Sequence, residues 1–177
     1  AVNQIYLEHK KALIHAQLSS YYFSEHQWDA SLRDGVVAIN ALGQVLGLSE
    51  EANPDFPGYV LEYVNCASRA AETFIRLERF GEALEWAQTA LQNAQVLYAT
   101  YRGEERVIAQ DLARLHAIVA EAHIYHEEEG HLRKAADELA LATMSKLSRD
   151  TENQLPRKMR ARLAKLQAVI QAKARGE

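Results

Sequence analysis

The sequence predicts an all-α protein, a solenoid of three antiparallel helix pairs followed by a C-terminal capping helix. Three observations predict it. Gly and Pro, which cost a helix interior more than any other residues, number only 8 and 3 of 177. Apolar positions recur with the three- and four-residue spacing of one helical face. Three segments, EHQWDASL (25–32), LERFGEAL (77–84) and EEGHLRKAA (128–136), repeat one pattern along the chain. Hydrophobic residues make up 48% and charged residues 25%. That is the balance of a folded chain with one sizeable core, and 1–177 reads as a single domain.

The elements follow in order. Helices at 2–24 and 27–47 make the first pair, 57–79 and 81–101 the second, 104–129 and 131–147 the third, and 156–174 closes the array. The anchors Trp28, Phe80 and Leu132 are evenly spaced, as are Ser31, Ala83 and Ala135. The large residue fills the corner of a turn, and the small one lets two helices approach. In the first helix of each pair Leu18, Ala70 and Ala122 correspond, as do Tyr22, Phe74 and His126. The second helices carry the stripes Trp28, Leu32, Gly35, Ile39, Leu42, Leu46 and Phe80, Leu84, Ala87, Leu91, Ala94, Tyr98. One pair cannot bury such a stripe alone, so stacked pairs share a core. Asn53-Pro54 and Pro57-Gly58 break the chain between the first two pairs. Gly130 suits a left-handed C-cap at the third turn. In the third pair the stripe register reaches Lys146 and Asp150, which ends that helix near Leu147. Pro156 suits the first turn of the last helix, whose face Met159, Leu163, Leu166, Ile170 is apolar and should cover the third pair.

Charge is uneven. The chain carries a net charge of -4, but residues 149–177 hold eight basic and three acidic residues. A basic tail beside an acidic body can mark a nucleic-acid surface or a tail that docks on its own body; the second is the favoured expectation. Cys66 stands alone, which excludes an internal disulfide framework. No apolar run nears the ~20 residues that span a bilayer, and no signal-peptide pattern is present. A cytoplasmic setting is expected. The first residue is Ala1, which leaves a longer parent chain open.

The repeat resembles the tetratricopeptide repeat family. The strongest match is Leu77–Leu91, LERFGEALEWAQTAL, with the aromatic, Gly-Glu-Ala-Leu and later Ala in the family's order. The first repeat has Ser31 where Ala is usual and lacks a turn glycine, while the third has His123 and His126 at small and aromatic positions. Family repeats run to ~34 residues, and these are longer by about two turns per helix, as in long-helix variants. The resemblance covers residues 12–147 or so. It implies a right-handed solenoid and a concave, peptide-binding face lined by the first helix of each pair. The residues it carries there include Ser20, Phe23, Asn65, Arg69, Glu72, Arg76, Glu121, Ile124 and Glu128. The Lys/Asn/Arg clamp with which some members hold a terminal carboxylate is missing, since Ala16, Ser20, Ala117 and Glu121 stand in its place. A ligand of apolar and basic character is therefore expected.

Catalytic chemistry finds little support. His123, His126 and Glu127 can share a helix face, with His116 and His131 nearby, but HIYHEEEGH is not the HExxH order of metalloproteases. Only Glu128-x-x-His131 matches the spacing of carboxylate-bridged di-iron bundles. No phosphate-binding glycine loop occurs. The aromatics near the turns have acidic or apolar neighbours, unlike a base-stacking surface. The expected function is thus an interaction scaffold or adaptor, not an enzyme, with no cofactor and no metal. Its partner is another protein or a peptide; membrane is excluded, nucleic acid is disfavoured, and a homodimer is open because end helices of repeat arrays can self-associate. The alternative is a sensor module of a nucleic-acid-linked regulator that uses the basic last helix.

Overall fold

A computed structural model describes residues 2–50, 53–100, 105–144 and 155–176. Among these the chain forms seven α-helices and no strand: α1 (Val2–Ser24), α2 (Trp28–Leu48), α3 (Phe56–Arg76), α4 (Phe80–Thr100), α5 (Glu105–Tyr125), α6 (His131–Met144) and α7 (Arg157–Ala174). Each helix from α1 to α6 packs on the next in chain order; α3 also meets α5, and α7 lies against α5 and α6. The packing is that of an all-α solenoid.

The turns within α1–α2 and α3–α4 share one mechanism. His26 and Glu78 both sit in the left-handed region, at φ 59° and 58°. At the first turn, the amide of Gln27 reaches back to the Tyr22 carbonyl (2.9 Å) and that of His26 to Phe23 (3.1 Å). At the second, Arg79 reaches Phe74 (2.9 Å) and Glu78 reaches Ile75 (3.1 Å). These are Schellman closures, which satisfy carbonyls that the last helical turn leaves open. Gly130 takes the same left-handed conformation at the third turn, φ 71°, at the position that the repeat register assigns it.

Two helices end earlier than their sequence pattern suggests. The Schellman closure stops α3 at Arg76 rather than at 79. Helix α5 stops at Tyr125 rather than at 129, because Glu127-Glu128-Glu129 would set three negative charges at the negative end of the helix dipole. The end expected near Leu147, with Lys146 and Asp150, lies outside the described residues.

The core has two parts. The larger runs through α1–α5 and is built on small residues: Ala38, Ala41, Ala67, Ala71, Ala83, Ala87 and Ala90 are buried among Leu42, Val64, Phe74, Leu115 and Ile118. Small side chains at these positions bring helix axes close, so backbone surface itself is covered. The smaller part joins Ala117, Ala120, Ile124, Ala135 and Leu139 to Leu166 and Ile170, with Met159 and Leu163 partly buried beside them. The apolar face of α7 is therefore packed on α5 and α6. Cys66 is buried, and that burial raises its thiol pKa, which leaves it inert at neutral pH.

Candidate functional site

Where α1, α3, α5 and α7 converge, a cleft of about 730 Å³ opens. Phe23 lines it from α1, Glu72, Ile75 and Arg76 from α3, Arg114, Glu121 and Tyr125 from α5, and Lys158, Ala161, Arg162, Lys165, Leu166 and Val169 from α7. Residues 158, 161, 162, 165 and 169 share one helical face. Helix α7 thus turns its apolar stripe to the core and a basic stripe to the cleft.

At the centre sits an ion cluster. Arg162 donates from Nη1 and Nη2 to both carboxylate oxygens of Glu72, and from Nη2 to Glu121 at 2.9 Å. Arg114 adds its Nε at 3.7 Å from Glu72. Glu72 is buried, and a buried carboxylate requires such pairing. Burial alone would lower the Arg162 pKa, but Glu72 first and Glu121 second outweigh it and raise the pKa above its ordinary value. Both acids of the cleft are thereby committed. Five cations line it against two carboxylates, and Lys158 and Lys165 have no ion pair among the described residues. Arg76 lies over the Trp28 ring at 5.9 Å, and Trp28 in turn meets Phe23 edge-on at 5.3 Å, which fixes the rim.

The nine residues carried over from the family pattern are dispersed. Phe23, Glu72, Arg76 and Glu121 line the cleft. Asn65 and Arg69 line a separate small pocket with Ala12, Leu13 and Leu42, and Arg69 donates to the Ala16 carbonyl at 3.1 Å. Ser20 is exposed on α1. Ile124 is fully buried in the smaller core. Glu128 lies beyond the end of α5, where it accepts from His126 Nε2 at 3.0 Å. The α7 wall, Arg114, Ile75 and Tyr125 were absent from the sequence-derived site. The signal for the α7 wall was present, since Lys158, Arg162 and Lys165 recur at four- and three-residue spacing about a quarter turn from the apolar stripe.

The charge of the cleft also departs from expectation. A ligand of basic character would meet an excess of cations here, because Arg162 neutralises the acids meant to attract it. The same inward turn removes Arg162 from any nucleic-acid surface on α7.

The histidines of the third pair do not converge. His123 is buried with its Nδ1 unpartnered, His131 donates from Nδ1 to the Glu128 carbonyl at 2.9 Å, and His116 pairs with Glu138 at 2.7 Å. Among the described residues no group of three or more His, Cys, Asp or Glu is placed to hold a metal ion, and no helix is long and apolar enough to cross a membrane. No family model, curated protein or solved structure matches the chain.

Proposed function

We propose that this chain is a protein-interaction module of tetratricopeptide type, a right-handed solenoid of three helix pairs closed by α7. It catalyses no reaction of its own, acts in the cytoplasm, and receives a peptide segment of another protein in the cleft between α1, α3, α5 and α7. The lining of that cleft carries the reading. Apolar Phe23, Ile75, Tyr125 and Val169 alternate with cations, so the fitting segment is acidic with interspersed aliphatic or aromatic residues. Apolar anchors supply affinity, and charge supplies orientation and on-rate.

Fluorescence anisotropy with two labelled peptides of equal length tests this, one alternating Glu with Leu and Phe, the other with Lys in place of every Glu. The acidic peptide binds at low salt, binds more weakly as ionic strength rises, and loses about tenfold or more in affinity with Lys158→Glu/Lys165→Glu, roughly 1.4 kcal/mol. Equal affinity for both peptides, or no binding of the acidic one at up to about 0.5 mM (roughly -4.5 kcal/mol), overturns the reading.

A further inference from the structure

Helix α1 is the first of the described helices, and its outer side is apolar. Leu7, Ile14, Leu18 and Tyr21 are 65%, 57%, 39% and 58% exposed. Steps of seven, four and three residues put them on one helical face. The repeat register shows what this face is. Ile14 corresponds to Cys66 and Ile118, and Leu18 to Ala70 and Ala122, and all four of those equivalents are buried. They sit on α3 and α5, which pack against the second helix of the preceding pair, α2 and α4. The outer face of α1 is therefore the stacking face of the repeat, and no described helix covers it.

The molecule itself holds a matching surface. Among the described residues, eleven large apolar side chains are exposed, and seven of them lie on α1; α2, α4, α5 and α6 contribute one each. Among the described side chains a stripe of this kind occurs on no other helix, so its counterpart on a second copy is α1 again. We infer that two copies of this chain associate through α1 against α1, antiparallel, about a two-fold axis at Leu18. Such an interface is isologous: where one residue meets a second residue of the other copy, the second meets the first in return, and only a residue on the axis meets itself. With Leu18 on the axis, Ile14 lies opposite Tyr21 and Tyr22 of the other copy, and Lys11 lies opposite its Glu25. Lys11 and Glu25 are exposed and have no ion pair within the described residues, so the register joins unlike charges twice. One helix pair is a small interface, of the size class that weak, reversible complexes use.

Sedimentation equilibrium of the whole chain, from about 5 to 500 µM, reads the outcome. The wild type shifts from monomer to dimer with concentration, and Leu18→Glu stays monomeric with an unchanged helical circular dichroism spectrum. Lys11→Glu weakens the dimer about tenfold, and Lys11→Glu/Glu25→Lys restores it. Leu18→Cys forms a disulfide-linked dimer on mild oxidation, since residue 18 meets itself, while buried Cys66 does not compete. A wild type that is monomeric throughout, a dimer indifferent to Leu18→Glu, or a dimer in which Leu18→Cys fails to cross-link overturns the inference.

Discussion

Ser19 and Ser31 form a pair that the repeat does not require. Each hydroxyl donates to the carbonyl of the other residue at 2.9 Å, and both side chains are buried. Their register equivalents in the second pair are Ala71 and Ala83, also buried. Deleting one hydroxyl removes one inter-helix bond and costs about 1 kcal/mol, whereas Ser19→Ala/Ser31→Ala recreates the second pair's combination. Urea denaturation should therefore give a double mutant less destabilised than the sum of its singles. Gly35 belongs to the same contact. A Cβ there would lie 3.1 Å from Ser19 Oγ, so the close approach of α1 and α2 rests on that glycine. The equivalent of Ser19 in the third pair is His123, whose buried Nδ1 lacks a partner. Burial lowers its pKa from 6.5 and prevails over Glu138 and Glu128, which oppose the shift; Lys134 and His126 assist it. Below pH 6.5 the unfolded chain binds a proton that the folded chain refuses, so stability falls as pH drops from 6.5 towards the folded pKa. His123→Ala leaves a cavity worth about 2 kcal/mol at pH 8. The gap to the wild type should narrow as thermal melts are repeated from pH 7.5 down to 5. A constant gap would show that the imidazole does not titrate against folding.

At the scale of elements, the helices were legible because their stripes and breakers were. Pro54 and Pro57, Gly130 and Pro156 all stand where a helix begins or ends. The Schellman turns were not legible, since His26 and Glu78 hold a left-handed conformation that sequence patterns reserve for glycine. His26 compensates by stacking on Trp28 at 5.1 Å. Glu78 is exposed and has no side-chain hydrogen bond or ion pair among the described residues, so its strain is uncompensated. Glu78→Gly should raise stability by roughly 0.5–1 kcal/mol in urea denaturation, while Gly130→Ala at φ 71° should lower it by about 1 kcal/mol. The opposite signs at register-equivalent positions test the turn geometry, not glycine content. If both substitutions destabilise, the left-handed conformation of Glu78 is not what limits that turn.

At the scale of the whole molecule, the apolar stripe of α7 announced that it would cover the third pair, but nothing local could announce that Arg162 reaches Glu72 on α3. Ninety positions separate the two, and burial of Glu72 depends on three helices that no single-helix pattern describes. The candidate site was half legible for that reason: Phe23, Glu72, Arg76 and Glu121 follow from the repeat register, whereas the basic stripe of α7 is visible in the sequence but its place beside them exists only in the assembled fold. Arg162 also links the two parts of the core, because α7 packs on α5 and α6 while its guanidinium grips α3. Removing it by Arg162→Ala leaves Glu72 buried with only Arg114 at 3.7 Å, a loss of about 3 kcal/mol. Replacing both charges, as Glu72→Gln/Arg162→Met, removes the stranded carboxylate along with the cation and should recover much of that loss. Hydrogen exchange then separates two roles. If the cluster holds α7 in place, amides of 157–174 exchange faster in the double mutant even where global stability returns, and affinity for an acidic peptide falls with them. If those amides keep wild-type protection, Met159, Leu163, Leu166 and Ile170 hold α7 unaided, and the ion cluster serves only to set the charge of the cleft.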